Sequence, residues 1–418
     1  MVPRVRTPLA TARAGSMLAI IALLVGCGSG AGGAKAGTAD AGGSCPQVVM
    51  RTLGAVLRRV YDEGVKSERT ASAEHIVEYS PALREALESN DPTAAVSAAR
   101  ALLKTGHLTN LHLVFAGRTL VNLGGPALTP LHGVIRDAAG SPIATYSTSV
   151  WSDTGFTAEG RGVIEGLVVI RRGSRSLGGT PSLPGGATPA PEGTLTLHGV
   201  SYQYLSFPGE AYPSGAVRIY LLRASSSFAP LCGSTSEQTL VNTLSHIASL
   251  IYAGEIGPRT HVQIRRVEHD RELLEAVARK EPVATRRAIV ALLNQHVVRI
   301  RVTASGQLLD DVGGPYVLAP VGGTLRLHGR RIGTVLLSIQ DDEGYLRLAR
   351  RLAGLKVLMY MGADRKLVKN SLGPSPGTVP ASGSYTYHGD DYRVYTLNAT
   401  AFPSGPLTIR VLIPIPYS

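Results

Sequence analysis

Gly329-Arg330-Arg331-Ile332-Gly333-Thr334-Val335-Leu336-Leu337-Ser338-Ile339-Gln340-Asp341-Asp342-Glu343-Gly344-Tyr345 reads as a hairpin turn, a buried strand rich in β-branched residues and Leu, and an acidic turn containing Gly. A second copy lies 189 residues earlier, as Gly140-Ser141-Pro142-Ile143-Ala144-Thr145-Tyr146-Ser147-Thr148-Ser149-Val150-Trp151-Ser152-Asp153-Thr154-Gly155-Phe156. Gly, Ile, Thr, Ser, Asp, Gly and a closing aromatic recur in register. Other landmarks repeat in the same order. Leu120 to Pro126 answers Leu309 to Pro315, and Leu197-His198-Gly199 with Tyr202 and Tyr212-Pro213 answers Tyr387-His388-Gly389 with Tyr392 and Phe402-Pro403. Two long copies, rather than many short ones, describe two folded units and not a solenoid.

The N-terminus carries Arg4, Arg6 and Arg13 and no acid, followed by the apolar run Met17 to Val25. That run is too short to span a bilayer and has the layout of a secretory signal peptide. It ends in Leu24-Val25-Gly26-Cys27, followed by a Gly/Ala/Ser-rich tract. This resembles the lipobox of bacterial lipoproteins, in which the Cys is acylated, for example with palmitate, and becomes the first mature residue. The alternative is an ordinary secreted protein cleaved nearby. The expected organisation is a signal peptide over 1–26, a tether over 27–46, a first domain over 47–223, a linker over 224–235 and a second domain over 236–418.

The net charge of +12 falls to +9 once the three N-terminal arginines leave with the signal. The basic residues are scattered, without a Lys/Arg block interleaved with aromatics, so nucleic acid is not an expected partner. The excess favours contact with anionic lipid headgroups or cell-wall polymers, or simply solubility. Besides Cys27 there are only Cys45 and Cys232, one near the start of each unit. Outside the cytoplasm such a pair often closes a disulfide, which would staple one unit to the other. Their separation in space is not readable from sequence.

Val49, Leu53, Val56, Leu57 and Val60 follow helical spacing over 47–66. Helices are expected over 73–89 and 92–105, and again over 236–253, 264–280 and 282–294. Asp91-Pro92 supplies an N-cap with Pro at the first helical position. Beyond the helices come short strands, with long loops over 173–193 and 371–383 and a closing hairpin in each unit. The expected fold class is therefore α+β, each unit having leading helices packed on one antiparallel sheet of five or six strands.

Leading helices, a hairpin-rich sheet and a Gly-x-x-Ile-Gly-Thr-Val-Leu-Leu-Ser-Ile-Gln-Asp core strand are similar to the Cache family, the PAS-like extracytoplasmic sensor domains of bacterial receptors. The resemblance is best over 296–361 and weaker over 107–172. It implies a long helix beside the sheet and a pocket for a small metabolite between the sheet and its covering loops. It further implies an occupancy signal that reaches a membrane signalling protein. The chain departs from the family in having no apolar run of spanning length after residue 26 and no cytoplasmic module, so that signal would leave through a partner. The Tyr/Arg/Trp/Tyr…Asp arrangement of amino-acid-binding members is absent.

In a pocket of this kind, unit one offers Tyr146, Ser147, Trp151, Asp153, Tyr202 and Tyr204. Unit two offers Gln340, Asp341, Asp342, Tyr345, Tyr360, Tyr392 and Arg393. Aromatics supply contact area and one or two polar groups set orientation. The same tyrosines and the single Trp also suit packing roles. At matched places the copies differ (Trp151 against Gln340, Tyr146 against Val335), so two pockets would not be equivalent. Of eleven His, none forms a His-x-x-x-His pair, and His132, His198, His328 and His388 precede Gly in turn-like contexts. Asp341-Asp342-Glu343 could hold a divalent cation but suits a solvated turn better. No Gly-x-Ser-x-Gly motif or phosphate-cradling loop occurs. The expectation is a lipid-anchored small-molecule-binding protein on the outer face of a bacterial cytoplasmic membrane, with no cofactor, no metal and no catalysis. The alternative is a structural or adhesive envelope lipoprotein.

Overall fold

The computed structural model describes residues 43–105, 108–178, 180–183, 190–254, 256–293 and 297–417. The signal peptide, Cys27 and most of the expected tether lie outside the described residues.

The repeat is reproduced element by element. The first half runs α1 (Cys45–Val65), α2 (Glu68–Glu78), α3 (Pro81–Glu88), α4 (Pro92–Thr105), β1 (Asn110–Phe115), β2 (Arg118–Gly124), β3 (Ala127–Leu128), β4 (Leu131–Arg136), β5 (Pro142–Ser149), β6 (Trp151–Ser152), α5 (Asp153–Ile164), β7 (Leu167–Arg172), β8 (Arg175–Leu177), β9 (Glu192–Leu197), β10 (Val200–Tyr212) and β11 (Gly215–Ala224). The second half follows the same order with α6 (Ser236–Gly254), α7 (Pro258–Glu268), α8 (Arg271–Arg279), α9 (Pro282–Leu292), β12 (Arg299–Ala304), β13 (Gln307–Gly313), β14 (Val317–Leu318), β15 (Val321–Leu327), β16 (Arg330–Ser338), β17 (Gln340–Asp341), α10 (Asp342–Ala353), β18 (Lys356–Met361), β19 (Lys366–Asn370), β20 (Gly383–Tyr387), β21 (Asp390–Ala401) and β22 (Gly405–Ile415). The fold is α+β, with two similar halves whose leading helices pack on antiparallel sheets.

Three expectations are corrected. Each half has two sheets rather than one of five or six strands: a small sheet β2-β1-β5-β4 and a large one β6-β3-β10-β11-β7-β8 with β9 beside β10. The second half repeats both as β13-β12-β16-β15 and β17-β14-β21-β22-β18-β19 with β20 beside β21. The core strand is what divides them. β5 and β16 belong to the small sheets, while the two residues of β6 and β17 pair in the large ones. Second, the acidic turn opens a helix in both halves: Ser152 Oγ accepts from Gly155 N at 2.9 Å and Asp341 Oδ1 accepts from Gly344 N at 2.7 Å, each an N-cap. Third, two expected helices are broken: that over 73–89 at Ser80-Pro81, where Ser80 caps α3, and that over 264–280 at His269-Asp270, where Asp270 caps α8.

The halves meet through helices. α1 and α5 lie on the first large sheet, α6 and α10 on the second, and α1 and α5 pack against α6, with α1 also against α10. One continuous core results, including Leu57, Phe156, Leu244, Leu352 and Ile409, all 3 % exposed or less. The close fit shows at Gly54 of α1, where a Cβ would lie 2.8 Å from Leu205 Cδ2 of β10. Helices α2–α4 cover one face of the first small sheet and α7–α9 cover the second, whose core is separate. Residues 43–418 form one compact unit. The linker turns at Ser225–Ser227 and Ala229–Leu231 bury Phe228 and Leu231.

Several contacts tie the halves chemically, among them a hydrogen bond of 2.7 Å between His246 of α6 and Glu165 at the end of α5. Cys232, just before α6, is disulfide-bonded to Cys45 at the start of α1, with Cα atoms 5.5 Å apart. Arg351 of α10 meets Glu63 of α1 at 3.2 Å and Glu159 of α5 at 2.8 Å. Burial pushes the Glu63 carboxyl above its ordinary pKa, against the pull of Arg351 and then Arg69.

The bridge closes a loop of 187 residues. Replacing Cys45 and Cys232 by Ser is expected to lower the unfolding free energy by about 2–4 kcal/mol. A lower urea midpoint at constant slope would register the loss, and an unmoved midpoint would refute it. For Glu63 the raised folded-state pKa means that the folded chain holds the proton more tightly than the unfolded one. Its contribution is present below the unfolded pKa and is lost as pH rises through the folded one. Glu63→Gln should therefore gain stability relative to the parent as pH is raised from about 4 to about 7. Paired urea titrations across that range check the sign.

Candidate functional site

The residues expected to form pockets are distributed over several places. Tyr146 points under the helices, 3 % exposed, and its hydroxyl donates to Glu78 Oε1 of α2 at 3.0 Å. Burial and that carboxylate push its pKa far up. Trp151 is wedged against α1: Nε1 donates to Val60 O at 3.1 Å, Phe156 meets it edge-on, and the Arg69 guanidinium lies 5.3 Å from the ring. Tyr345 is fully buried between helices, donating to Ala248 O of α6 at 2.9 Å, and burial raises its pKa. Gln340 is buried in β17 opposite Leu318, and Asp341 is occupied as the α10 cap. Arg393 pairs with Glu237 of α6.

Tyr202 and Tyr204 share the face of the first large sheet that turns away from the helices, with Tyr220, Val169, Leu222 and Leu183. The matched face of the second half holds Tyr360, Tyr392, Tyr385 and Tyr387 with Leu358, Leu412 and Val379. There the Arg410 guanidinium lies 4.5 Å from the Tyr360 ring and donates to its hydroxyl at 3.2 Å. Each is a small aromatic core beneath a loop.

Asp153 stands apart. It is the first residue of α5 and 8 % exposed, and it lines a cavity of about 490 Å³ between β3, the β7–β8 hairpin and the β10–β11 turn. Pro126, Ile170, Leu177 and Ala211 supply apolar wall, while Arg172, Arg175 and Tyr212 bring polar groups. Asp153 Oδ1 accepts from Thr154 N at 2.7 Å, and Oδ2 faces Gly178, where a Cβ would approach it to 2.9 Å. Gly178 has φ +64, so a side chain there would be strained as well as crowded. Among the described residues, no ion pair neutralises Asp153, Arg172 or Arg175.

The second half treats the same place differently. Asp342 is the counterpart of Asp153 and is likewise buried. Lys369 of β19, which stands opposite Met359 as Leu177 stands opposite Ile170, reaches Asp342 at 3.3 Å and also pairs with Glu343. Burial raises the Asp342 carboxyl above its usual value, and Lys369 pulls it partly back. One half thus keeps a carboxylate and two guanidiniums around open space, and the other places a lysine on its acid.

Of the residues singled out in the sequence, Asp153 alone lines this cavity. Arg172, Arg175 and Tyr212 were missed. For the two arginines the signal was the basic hairpin Arg171-Arg172-Gly173-Ser174-Arg175, the last three residues of which fell within a segment read as loop. His198, His328 and His388 have φ of 50–51° at hairpin turns before Gly, the turn role expected of them. Among the described residues, no cluster of three His, Cys, Asp or Glu could hold a metal ion, and no helix is long and apolar enough to cross a membrane.

No protein-family model and no curated protein matches the chain. Among solved structures, it is similar to the ligand-binding domain of the Pseudomonas fluorescens chemoreceptor CtaA in complex with L-isoleucine. That likeness has 13% identity and a TM-score of 0.27, over 43% of this chain and 96% of that one. It is similar also to the periplasmic domain of Vibrio cholerae LuxQ, at 11% identity and a TM-score of 0.28, over 40% of this chain and 97% of that one. A third is an extracellular ligand binding receptor from Desulfohalobium retbaense, at 11% identity and a TM-score of 0.24, over 53% of this chain and 47% of that one.

Proposed function

We propose that this chain is an extracytoplasmic sensor lipoprotein of two Cache-like halves, held to the membrane through acylated Cys27, which binds a small molecule and passes its occupancy to a membrane partner. It is read as a binding protein and not as an enzyme. The observation that carries the reading is the unneutralised Asp153 in the first-half cavity, set against its neutralised counterpart Asp342. A volume near 490 Å³ suits a ligand of metabolite size. Arg172 and Arg175 would take an acidic group, and Asp153 a hydrogen-bond donor. Asp153 starts α5, which packs on α1 and α6. A ligand that engages it would bias the helical layer joining the halves, and a partner in the membrane would read that bias.

Thermal unfolding of the soluble chain is the test, screened against amino acids, organic acids, nucleobases, polyamines and sugars. A ligand at about one hundred times its dissociation constant adds roughly 2.7 kcal/mol. The expected shift disappears in Asp153→Asn and in the Arg172→Ala/Arg175→Ala pair, and persists in Lys369→Met. Silence across the panel, or a shift untouched by Asp153→Asn, would move the weight to a structural envelope role.

A further inference from the structure

The first small sheet has one face beneath α2–α4, and its other face looks toward the tip of the β10–β11 hairpin. Along that second face the register sets Asn122, His112, Ser147 and His132 side by side on β2, β1, β5 and β4. Asn110 follows one step along, opposite Ser149. Asn110 is 1 % exposed and Ser147 6 % exposed. Yet among the described residues neither the Asn110 carboxamide nitrogen, nor its oxygen, nor the Ser147 hydroxyl has a hydrogen-bond partner. Buried polar atoms are normally satisfied, by protein, water or ligand. Tyr212 closes the side: its hydroxyl donates to Asn122 Oδ1 at 3.1 Å and its ring centre lies 5.7 Å from that of His112. Asn122 and His132 are exposed at the ends of the row.

The duplicated half shows what this space can hold. Arg299 stands at the place of Asn110, Asp311 at that of Asn122, and Phe402 at that of Tyr212. The alignment is anchored by Gly124 and Gly313, whose Cβ atoms would each fall 2.5 Å from the Cα of Asn110 and Arg299. Arg299 donates to both Asp311 oxygens at 2.7 and 2.8 Å and to Gly314 O at 3.1 Å, with its guanidinium 4.8 Å from the Phe402 ring centre. The second half therefore holds its own planar group at this place, hydrogen-bonded to both carboxylate oxygens and lying over an aromatic ring. In the first half the long side chain is gone, and so is the carboxylate that held it.

We infer that this face of the first half is a second site, for a small, planar, uncharged molecule presenting an N–H beside a C=O, of the carboxamide or urea type. Such a group stacks on Tyr212 as the guanidinium does on Phe402, and exchanges one donor and one acceptor with the Asn110 carboxamide. The row holds no carboxylate to retain a cation and no Lys or Arg to retain an anion. Ser147 supplies the remaining polar contact, diagonal to Asn110.

Saturation-transfer NMR on the full chain with acetamide as probe tests this. Transfer to the acetamide methyl is expected in the parent, weaker transfer in Ser147→Ala, and none in Asn110→Arg/Asn122→Asp, which rebuilds the arrangement of the second half. A preserved thermal unfolding midpoint confirms that each variant is folded. Asp153→Asn leaves the transfer unchanged, so failure here is distinct from failure at the other cavity. Absence of transfer in the parent, or transfer that survives Asn110→Arg/Asn122→Asp, overturns the inference and leaves ordered water only at these atoms.

Discussion

Everything in either half hangs on one fully buried serine hydroxyl. β5 ends at Ser149 and, one residue later, the same chain pairs in the large sheet as β6. Where the chain changes sheets, Leu128 and Trp151 stand opposite each other on β3 and β6, in a place water does not reach. Ser149 Oγ sits among them, donating to Leu128 O with Trp151 O at 3.2 Å. Ser338 does the same in the second half for Leu318 O and Gln340 O, and accepts from Gln340 N at 3.1 Å. A buried polar group left unpaired in such a spot costs more than the net value of the bond that satisfies it. A small residue with a hydroxyl is required, which is why Ser recurs there when most of the strand has diverged. Beyond the crossing the chain enters α5 or α10 directly, so the serine also fixes where the central helices begin.

Those helices explain why two repeated units behave as one body. Each large sheet has an apolar face that needs cover, and α1 with α5, or α6 with α10, covers it only by exposing a second apolar stripe. Mutual packing of the two pairs buries that stripe. The ion pairs of Arg351 with Glu63 and Glu159, and the hydrogen bond of His246 with Glu165, then cross a boundary that is mostly hydrophobic. Their value lies less in net stability than in the register they set between the pairs. The Cys45–Cys232 bridge restrains the same boundary at the starts of α1 and α6.

Much of this was legible in the sequence, and what was not has physical causes. The 189-residue repeat, the α1 face from Val49 to Val60 and the core strand could all be read, because long periodic apolar patterns carry their own evidence. Helices α5 and α10 were taken for turns. In α5, Gly155, Gly160 and Gly162 lower helix propensity, and in α10 the run Asp341-Asp342-Glu343-Gly344 resembles a turn although Asp341 is in fact a cap. Leu346, Ala349, Leu352 and Ala353 at helical spacing were the overlooked signal. The division into two sheets was hidden because β3, β6, β14 and β17 have two residues each, too few for any period. Among site residues, Asp153 was legible as an acid beside the core strand. Arg172 and Arg175 on the β7–β8 hairpin and Tyr212 at the β10–β11 turn come to the same cavity only through long-range strand pairing.

Comparison of the halves carries information that neither half holds alone. On the outer faces of the large sheets, Arg171 of β7 lies near Tyr220 of β11, whose hydroxyl it draws back down against burial. In the second half the two types have changed strands, with Tyr360 on β18 and Arg410 on β22. A guanidinium beside an aromatic ring under the covering loop has been kept while the residues supplying it were exchanged, so the contact and not the position is what the loop requires. The same logic separates structural from vacated positions elsewhere. Where the pairing is conserved in altered form, as with Arg and Tyr, the role is packing. Where one half is complete by itself and the other keeps a charge without a counter-ion or polar atoms without partners, the difference marks the places at which we propose a ligand. Asp153 against Asp342 with Lys369, and Asn110 against Arg299 with Asp311, both fall in the second class, and both place the open chemistry in the first half.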